Sequence, residues 1–291
     1  MLSLTSVPYA KPKSIVEALS FMAQERTCVL AGGTDLVVMR ANSAVSADTL
    51  VDIKGIVALS GVNVERDRVS IGACTSLDSL SSHKDFSSNA ITDGASVVGG
   101  WQTRCRATIG GNICRASPAA DTLCGLLVLG CDLDVASLAG NRTVSASSFF
   151  KGPGRTVMNP GELLTRIVVP HSAGGSAYER FTYRNAMDLS VAGVAIFLEM
   201  DGDRCKEARV AVGACGPTPM LVPEAAAALI GTVVHADAIE AATAAVVAAA
   251  KPIDDVRGTR KHRLHVLRPL VRSVTAEALR RARQANKDSY S

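Results

Sequence analysis

The chain of 291 residues reads as an α+β protein built in two units. A strand–helix–strand pattern opens it. Short alternating strands separated by turn residues occupy roughly 55–170. After a glycine–serine connector, hairpin-type strands give way to helices. The length is ample for such a division and for a full hydrophobic core.

Ser14 is placed to cap a helix over 14–24, with Ile15, Leu19 and Met22 on one face. Thr27 to Leu30 is a short apolar strand. Gly32-Gly33 ends it, Thr34 stands where it would cap a helix over 35–40, and 49–53 is the next strand. Strands are then expected at 62–64, 68–71, 132–136, 142–145 and 163–169, with helices around 76–81 and 90–98, forming a mainly antiparallel sheet. Ser172-Ala173-Gly174-Gly175-Ser176 marks a boundary. The first unit is therefore 1–172, with lobes of about 1–54 and 55–172, and the second is 176–285. The second unit carries strands at 176–183, 191–200 and 207–214. The turn Asp201-Gly202-Asp203 joins the last two, and Pro217-Thr218-Pro219 ends the sheet. Helices follow near 223–229, 236–251 and 260–283.

Composition narrows the function classes. The richest apolar run, Ala241 to Ala250, is about half the roughly 20 residues that a membrane helix needs. Met1 to Ala10 lacks a basic segment followed by an apolar core, so no secretory signal is read and a cytoplasmic protein is expected. A net charge of +4 is too small to argue for nucleic acid. Basic residues do concentrate between Arg257 and Lys287, as a solvated helix or a surface facing an acidic partner. The eight cysteines form no C-x-x-C pair, which favours reduced thiols over a cluster held by this chain. Cys105, Cys114 and Cys124 read as small packing residues, and the five histidines show no metal spacing.

Two double-glycine loops stand out: Ala31-Gly32-Gly33-Thr34-Asp35 and Thr108-Ile109-Gly110-Gly111-Asn112. Each follows or sits within apolar, strand-like residues. A diphosphate has many acceptor oxygens, and backbone N–H groups approach it closely where no Cβ intervenes. Successive inward N–H groups make an anion nest, and a helix N-terminus adds its dipole. Asp35 is tolerated in a first helical turn with its carboxylate turned away. A lone Gly-Gly is usually only a tight turn, and neither loop is a G-x-G-x-x-G fingerprint. The second loop is more specific, because Asn112, Ser117 and Asp121 add polar groups around it.

The runs AGGTDL (31–36) and TIGGNICRASPAADT (108–122) closely resemble the FAD-binding subunit of the molybdenum hydroxylases, the xanthine dehydrogenase and carbon monoxide dehydrogenase medium-subunit group. Further matches fall at 9–12, 178–184, 188–192, 212–219 and 258–263, so the resemblance covers nearly the whole chain. It implies a two-lobed FAD-binding domain of the vanillyl-alcohol-oxidase (PCMH) type, then a smaller domain with a three-stranded antiparallel sheet and a helical bundle. It also implies contacts. Ala31, Gly32, Gly33, Thr34 and Asp35, with Thr108, Ile109, Gly110, Gly111 and Asn112, would meet the diphosphate and ribityl region. Ser117 and Asp121 would hydrogen-bond the ribityl or adenosine part, and Leu163 or Leu164 would pack on the flavin ring. Arg180 stands where xanthine dehydrogenases have lysine, and Asp188 matches an acidic position near the ring. Val191 replaces another lysine, and Arg180 keeps charge with a different geometry, so the acceptor preference of those enzymes does not carry over. Plainer roles stand beside these. Asp121 could cap a helix over 122–130, one of the two leucines could be ordinary core, and Trp101 could be core or an adenine neighbour.

No Ser-His-Asp or Cys-His arrangement appears, which suits a chain whose cofactor carries the chemistry. The resemblance implies an FAD-binding electron-transfer subunit of a heteromeric molybdenum hydroxylase. Its partners would be a small subunit with two 2Fe–2S clusters and a large molybdopterin subunit, in a heterotrimer or a dimer of heterotrimers. The basic C-terminal helix or the apolar rim near the flavin would face the iron–sulfur subunit. Arg280, Arg281 and Arg283 are the cations to neutralise in testing that. A rival is a self-contained flavoenzyme of the same two-lobed type. It would need its own substrate site and proton donor, and no covalent-flavin histidine stands near either loop. A flavin-free assembly subunit is a third reading.

Overall fold

A computed structural model describes residues 8–24, 26–42 and 49–288. The reading of Met1 to Val7 falls outside them. Its opening strand β1 (Tyr9–Ala10) is followed by α1 (Ile15–Met22), β2 (Thr27–Leu30), α2 (Leu36–Ala41) and β3 (Thr49–Asp52). The three strands form a parallel sheet with β3 in the centre. Ser14 caps α1 as expected, its hydroxyl accepting from the Glu17 N–H at 3.1 Å. Thr34 does not cap α2. Asp35 holds the N-cap position with a helical backbone and no side-chain bond.

A five-stranded antiparallel sheet follows, ordered β4 (Val62–Val64), β5 (Arg68–Gly72), β10 (Leu163–Pro170), β6 (Asp132–Ser137), β7 (Gly140–Ser145). The small hairpin of β8 (Phe150–Gly152) and β9 (Arg155–Thr156) stands apart. Helices α3 (Leu77–Ser81), α4 (Ala90–Val97), α5 (Trp101–Arg104), α6 (Ile109–Arg115), α7 (Leu123–Val128) and α8 (Ala146–Phe149) fill the connections. Leu163 and Leu164 divide at the start of β10, as alternation requires. Leu163 joins the core of the first sheet with Leu19, Val51 and Ile56, and Leu164 joins the core under the second.

The last sheet is ordered β11 (Gly175–Phe181), β12 (Ala192–Asp201), β13 (Arg204–Gly213), β14 (Met220–Leu221). Four strands replace the expected three. Pro217 and Pro219 lie in the turn after β13, and Met220 and Leu221 beyond them pair back with Val212 and Ala211. β12 is apolar on both faces because both are covered. Ala195 and Phe197 meet the helices of the first part. Val194, Ile196 and Leu198 meet α9 (Pro223–Leu229), α10 (Ala236–Ala249) and α11 (Arg260–Asp288).

Buried polar ties fix this last sheet to the rest. The Asp121 carboxylate accepts from Arg180 (2.7 Å), Tyr178 (2.7 Å) and Ser190 (2.5 Å), and both charged side chains are only 6% exposed. Arg180 also donates to the carbonyls of Val97 (2.7 Å) and Asp188 (3.1 Å). Arg281 on α11 reaches Asp93 on α4 at 2.8 Å and the Ser176 carbonyl at 2.8 Å, so it is engaged within the chain and is withdrawn from the set facing a partner. Breaking a buried pair by removing one member leaves an uncompensated charge. Arg180→Met should therefore cost about 3–5 kcal/mol in urea unfolding. The double variant with Asp121→Asn should recover part of that loss.

Candidate functional site

Between the two glycine loops lies a cleft of about 640 Å³, within the roughly 300–1,000 Å³ usual for small-molecule and cofactor sites. Its polar end is the first loop. The N–H groups of Gly32, Gly33, Thr34, Asp35 and Leu36 have no protein acceptor among the described residues. Gly33 takes φ +78, a left-handed conformation that lets the chain turn between β2 and α2. Gly32 is glycine for another reason: a Cβ there would stand 2.0 Å from the Arg106 carbonyl oxygen, where the two loops touch.

The second loop differs from its reading as strand-adjacent turn. Thr108 is the N-cap of α6, so Ile109, Gly110, Gly111 and Asn112 form the helix's first turn. Their N–H groups are all engaged: Ile109 donates to Thr75 O (3.0 Å), Gly110 to Ala73 O (2.8 Å), Gly111 to Thr108 Oγ1 (3.0 Å) and Asn112 to Thr108 O (3.0 Å). This loop is therefore no second anion nest. Gly110 serves close packing, since its Cβ would lie 2.6 Å from Ala73 O.

What α6 offers the cleft is side chains. Asn112 accepts from Thr122 Oγ1 at 2.7 Å, and its NH₂ on the wall has no acceptor among the described residues. Arg115, one turn after Gly111, also lines the cleft. Its Nε lies 3.6 Å from Asp35 Oδ1, is shielded from solvent, and makes no hydrogen bond. Asp35 is thus turned toward a cation rather than simply away. Arg115 escaped the sequence reading because 108–112 was read as a loop. Read as a helix, Arg115 is the neighbour of both Gly111, at i+4, and Asn112, at i+3.

The remainder of the wall is largely apolar: Val29, Ile53, Met158, Leu163, Leu164 and Leu189. Ala31, Thr34 and Thr108 are also on it, as are Cys28 and Cys114, whereas Cys105 and Cys124 are not. Asp188 lines the opposite rim. Burial raises its carboxyl, but N–H bonds from Leu189, Arg184 and Tyr183 and the Arg184 charge outweigh that and hold it below the usual range. Glu162 is held down to about 2, chiefly by Arg142.

Four expected contact residues lie off the wall. Ile109 is fully buried core. The Ser117 hydroxyl accepts from the Ala119 N–H at 3.4 Å. Asp121 neither caps α7 nor faces the cleft. Burial pushes its carboxyl up, against the pull of Arg180, Ser190 and Tyr178. Arg180 is fully engaged with Asp121 and two carbonyls. Trp101, left between core and adenine neighbour, is 62% exposed and off the wall.

The family described as "FAD binding domain in molybdopterin dehydrogenase" matches residues 4–172, and "CO dehydrogenase flavoprotein C-terminal domain" matches 176–278. The chain belongs to the FAD-binding medium subunits of the molybdopterin hydroxylases. It is 31% identical over 284 residues to the carbon monoxide dehydrogenase medium chain of Afipia carboxidovorans, covering 96% of this chain and 98% of that one. It is 31% identical over 265 residues to the glyceraldehyde dehydrogenase medium chain of Sulfolobus acidocaldarius, covering 90% and 94%. Among solved structures, reconstituted CO dehydrogenase from Oligotropha carboxidovorans superposes with a TM-score of 0.90 at 29% identity, covering 95% of this chain and 98% of that chain. Quinoline 2-oxidoreductase from Pseudomonas putida 86 gives 0.89 at 26%, covering 95% and 98%. As a flavoprotein subunit of molybdenum-containing dehydrogenases, the chain has no helix among the described residues that is long and apolar enough to cross a membrane.

The cleft fits FAD on its own features: five acceptor-free N–H groups at one end, a cation beside them, and an apolar slot beyond. Opposite signs follow for two charges. Arg115→Gln should weaken FAD binding by roughly 10- to 100-fold, the worth of a charge-assisted hydrogen bond. Asp35→Asn should tighten it. Riboflavin, which lacks the diphosphate, should bind both variants like the parent in a fluorescence-quenching titration.

Proposed function

We propose that this chain holds FAD in the cleft and serves as the electron-transfer subunit of a heteromeric molybdenum hydroxylase. A small partner would carry two 2Fe–2S clusters and a large one molybdopterin, in a heterotrimer or a dimer of heterotrimers. The row of free N–H groups from Gly32 to Leu36 at the end of an apolar cleft carries this reading. We further propose the division into an FAD-binding domain, 1–172 with lobes of about 1–54 and 55–172, and a C-terminal domain, 176–285.

In this reading Ala31 to Asp35 take the diphosphate, with Asn112 and Arg115 supplying donors from α6. Thr108, Gly110 and Gly111 shape the cleft, and Leu163 and Leu164 form the slot for the ring. Ile109, Ser117, Asp121 and Arg180 support the wall from behind. Bound FAD supplies the chemistry of exchanging single electrons from clusters for a pair leaving to an acceptor. The chain's own task is to bind and orient. Its acidic wall residues are all tied, Asp35 beside Arg115, Glu162 to Arg142 and Asp188 to backbone N–H groups, so none stands ready as a proton donor. That favours a subunit over a self-contained flavoenzyme. Exposed Met187 and Leu189 at the mouth of the cleft form an apolar rim for the iron–sulfur partner.

Affinity purification of the chain from its native host, with flavin and metal analysis, tests the reading. Flavin should be found on this chain, with iron and molybdenum co-purifying on two further polypeptides. A metal-free single chain that turns over substrate alone would contradict it.

A further inference from the structure

Thr122 stands at the N-terminus of a helix that it does not cap. A threonine hydroxyl there ordinarily accepts from an N–H of the first turn. Thr122 precedes α7 with a helical backbone and makes no such bond. Its hydroxyl donates instead to Asn112 Oδ1 at 2.7 Å, ten residues back on the cleft wall. Thr122 is fully buried, and Asn112 Oδ1 is the one acceptor for its hydroxyl among the described residues.

That bond decides which way round the Asn112 amide sits. The two ends of a carboxamide are alike in shape, but one only accepts and the other only donates. With the amide turned over, its NH₂ would face Thr122, and the hydroxyl proton would be left in the interior with no acceptor. Buried donors in folded proteins are nearly always satisfied, and leaving one unmade is costly. The end that faces the cleft is therefore the NH₂, beside Arg115 on the same helix.

The threonine cannot shift to follow the amide. Its neighbour Asp121 is gripped through the carboxylate by Arg180, Tyr178 and Ser190. The backbone of the pair is pressed against α4 as well. A Cβ on Gly94 would stand 2.4 Å from the Asp121 carbonyl oxygen and 3.1 Å from Thr122 Cα. The buried ionic cluster thus reaches the cleft through one hydroxyl.

We propose that Thr122 is a positioning residue for flavin binding. It locks the Asn112 amide with its donors toward the cleft, so that this face of α6 offers the diphosphate only hydrogen-bond donors. The proposal rests on the reading of the cleft as the FAD site. Phosphate oxygens accept strongly, and an amide presenting its oxygen would repel them. Thr122 itself is off the cleft wall and acts only through Asn112.

The test compares the parent chain with Thr122→Val, which keeps the shape and removes the hydroxyl, and with Thr122→Ser, which restores it. FAD and riboflavin are titrated by fluorescence quenching. Thr122→Val should weaken FAD binding by roughly 3- to 10-fold, the worth of one neutral hydrogen bond. Thr122→Ser should regain most of that, and riboflavin should bind all three alike. In an Asn112→Ala background, Thr122→Val should have no further effect, because its whole contribution passes through the amide. A full effect in that background, a loss that serine does not regain, or an equal loss for riboflavin would each overturn the proposal. Failure of the function proposed above looks different, since the parent chain would then take up no FAD. The side-chain NH₂ resonances of Asn112 in the flavin-free chain decide the lock in either case. Thr122→Val should move them and Thr122→Ser should leave them in place. Resonances that valine leaves unmoved would show that no lock exists.

Discussion

The backbone of Gly32 lies against the carbonyl of Arg106, in space that any Cβ would fill at 2.0 Å from the oxygen. That contact joins the parallel sheet to the segment carrying α6, and the cleft exists because the two meet there and diverge beyond it. A side chain at 32 would part the loops and move Arg115 away from Asp35. The first glycine of the first loop is thus a joint between the parallel sheet and the segment leading into α6, and the second, with φ +78, is the turn that leaves the following N–H groups unengaged. Two adjacent glycines answer two separate demands.

The far wall depends on a different constraint. Asp188 and Leu189 belong to the segment between β11 and β12, and Arg180 holds that segment by the Asp188 carbonyl while gripping Val97 and Asp121. A buried ion pair of this kind adds little net stability over an apolar pair, because desolvation offsets much of the attraction. Its contribution here is position. Five bonds made by two side chains set the last sheet, the rim loop and the end of α4 in one register. Residues of the Ser-Pro-Ala-Ala-Asp run therefore shape the cleft without lining it.

Much of the fold was legible because it followed from local chemistry. Ser14 as a cap, the alternation of β10, the turn at Asp201 to Asp203 and the helices after Pro219 all depend on neighbouring residues. Three features were not legible in that way. β14 is two residues long and exists only through pairing with β13. The N–H groups of Ile109 and Gly110 are engaged by the carbonyls of Thr75 and Ala73, more than thirty positions upstream. The partners of Asp121 lie 57 to 69 residues away. Family resemblance rightly pointed to an FAD-binding chain. It could not tell which of the two glycine loops keeps its N–H groups free, because that turns on tertiary bonds.

Amide hydrogen exchange with and without FAD tests the asymmetry of the loops most directly. The account predicts that Gly32 to Leu36 exchange readily in the empty protein and become protected on binding, while Ile109 to Asn112 are protected in both states. Protection gained at 109–112 with none at 32–36 would contradict it.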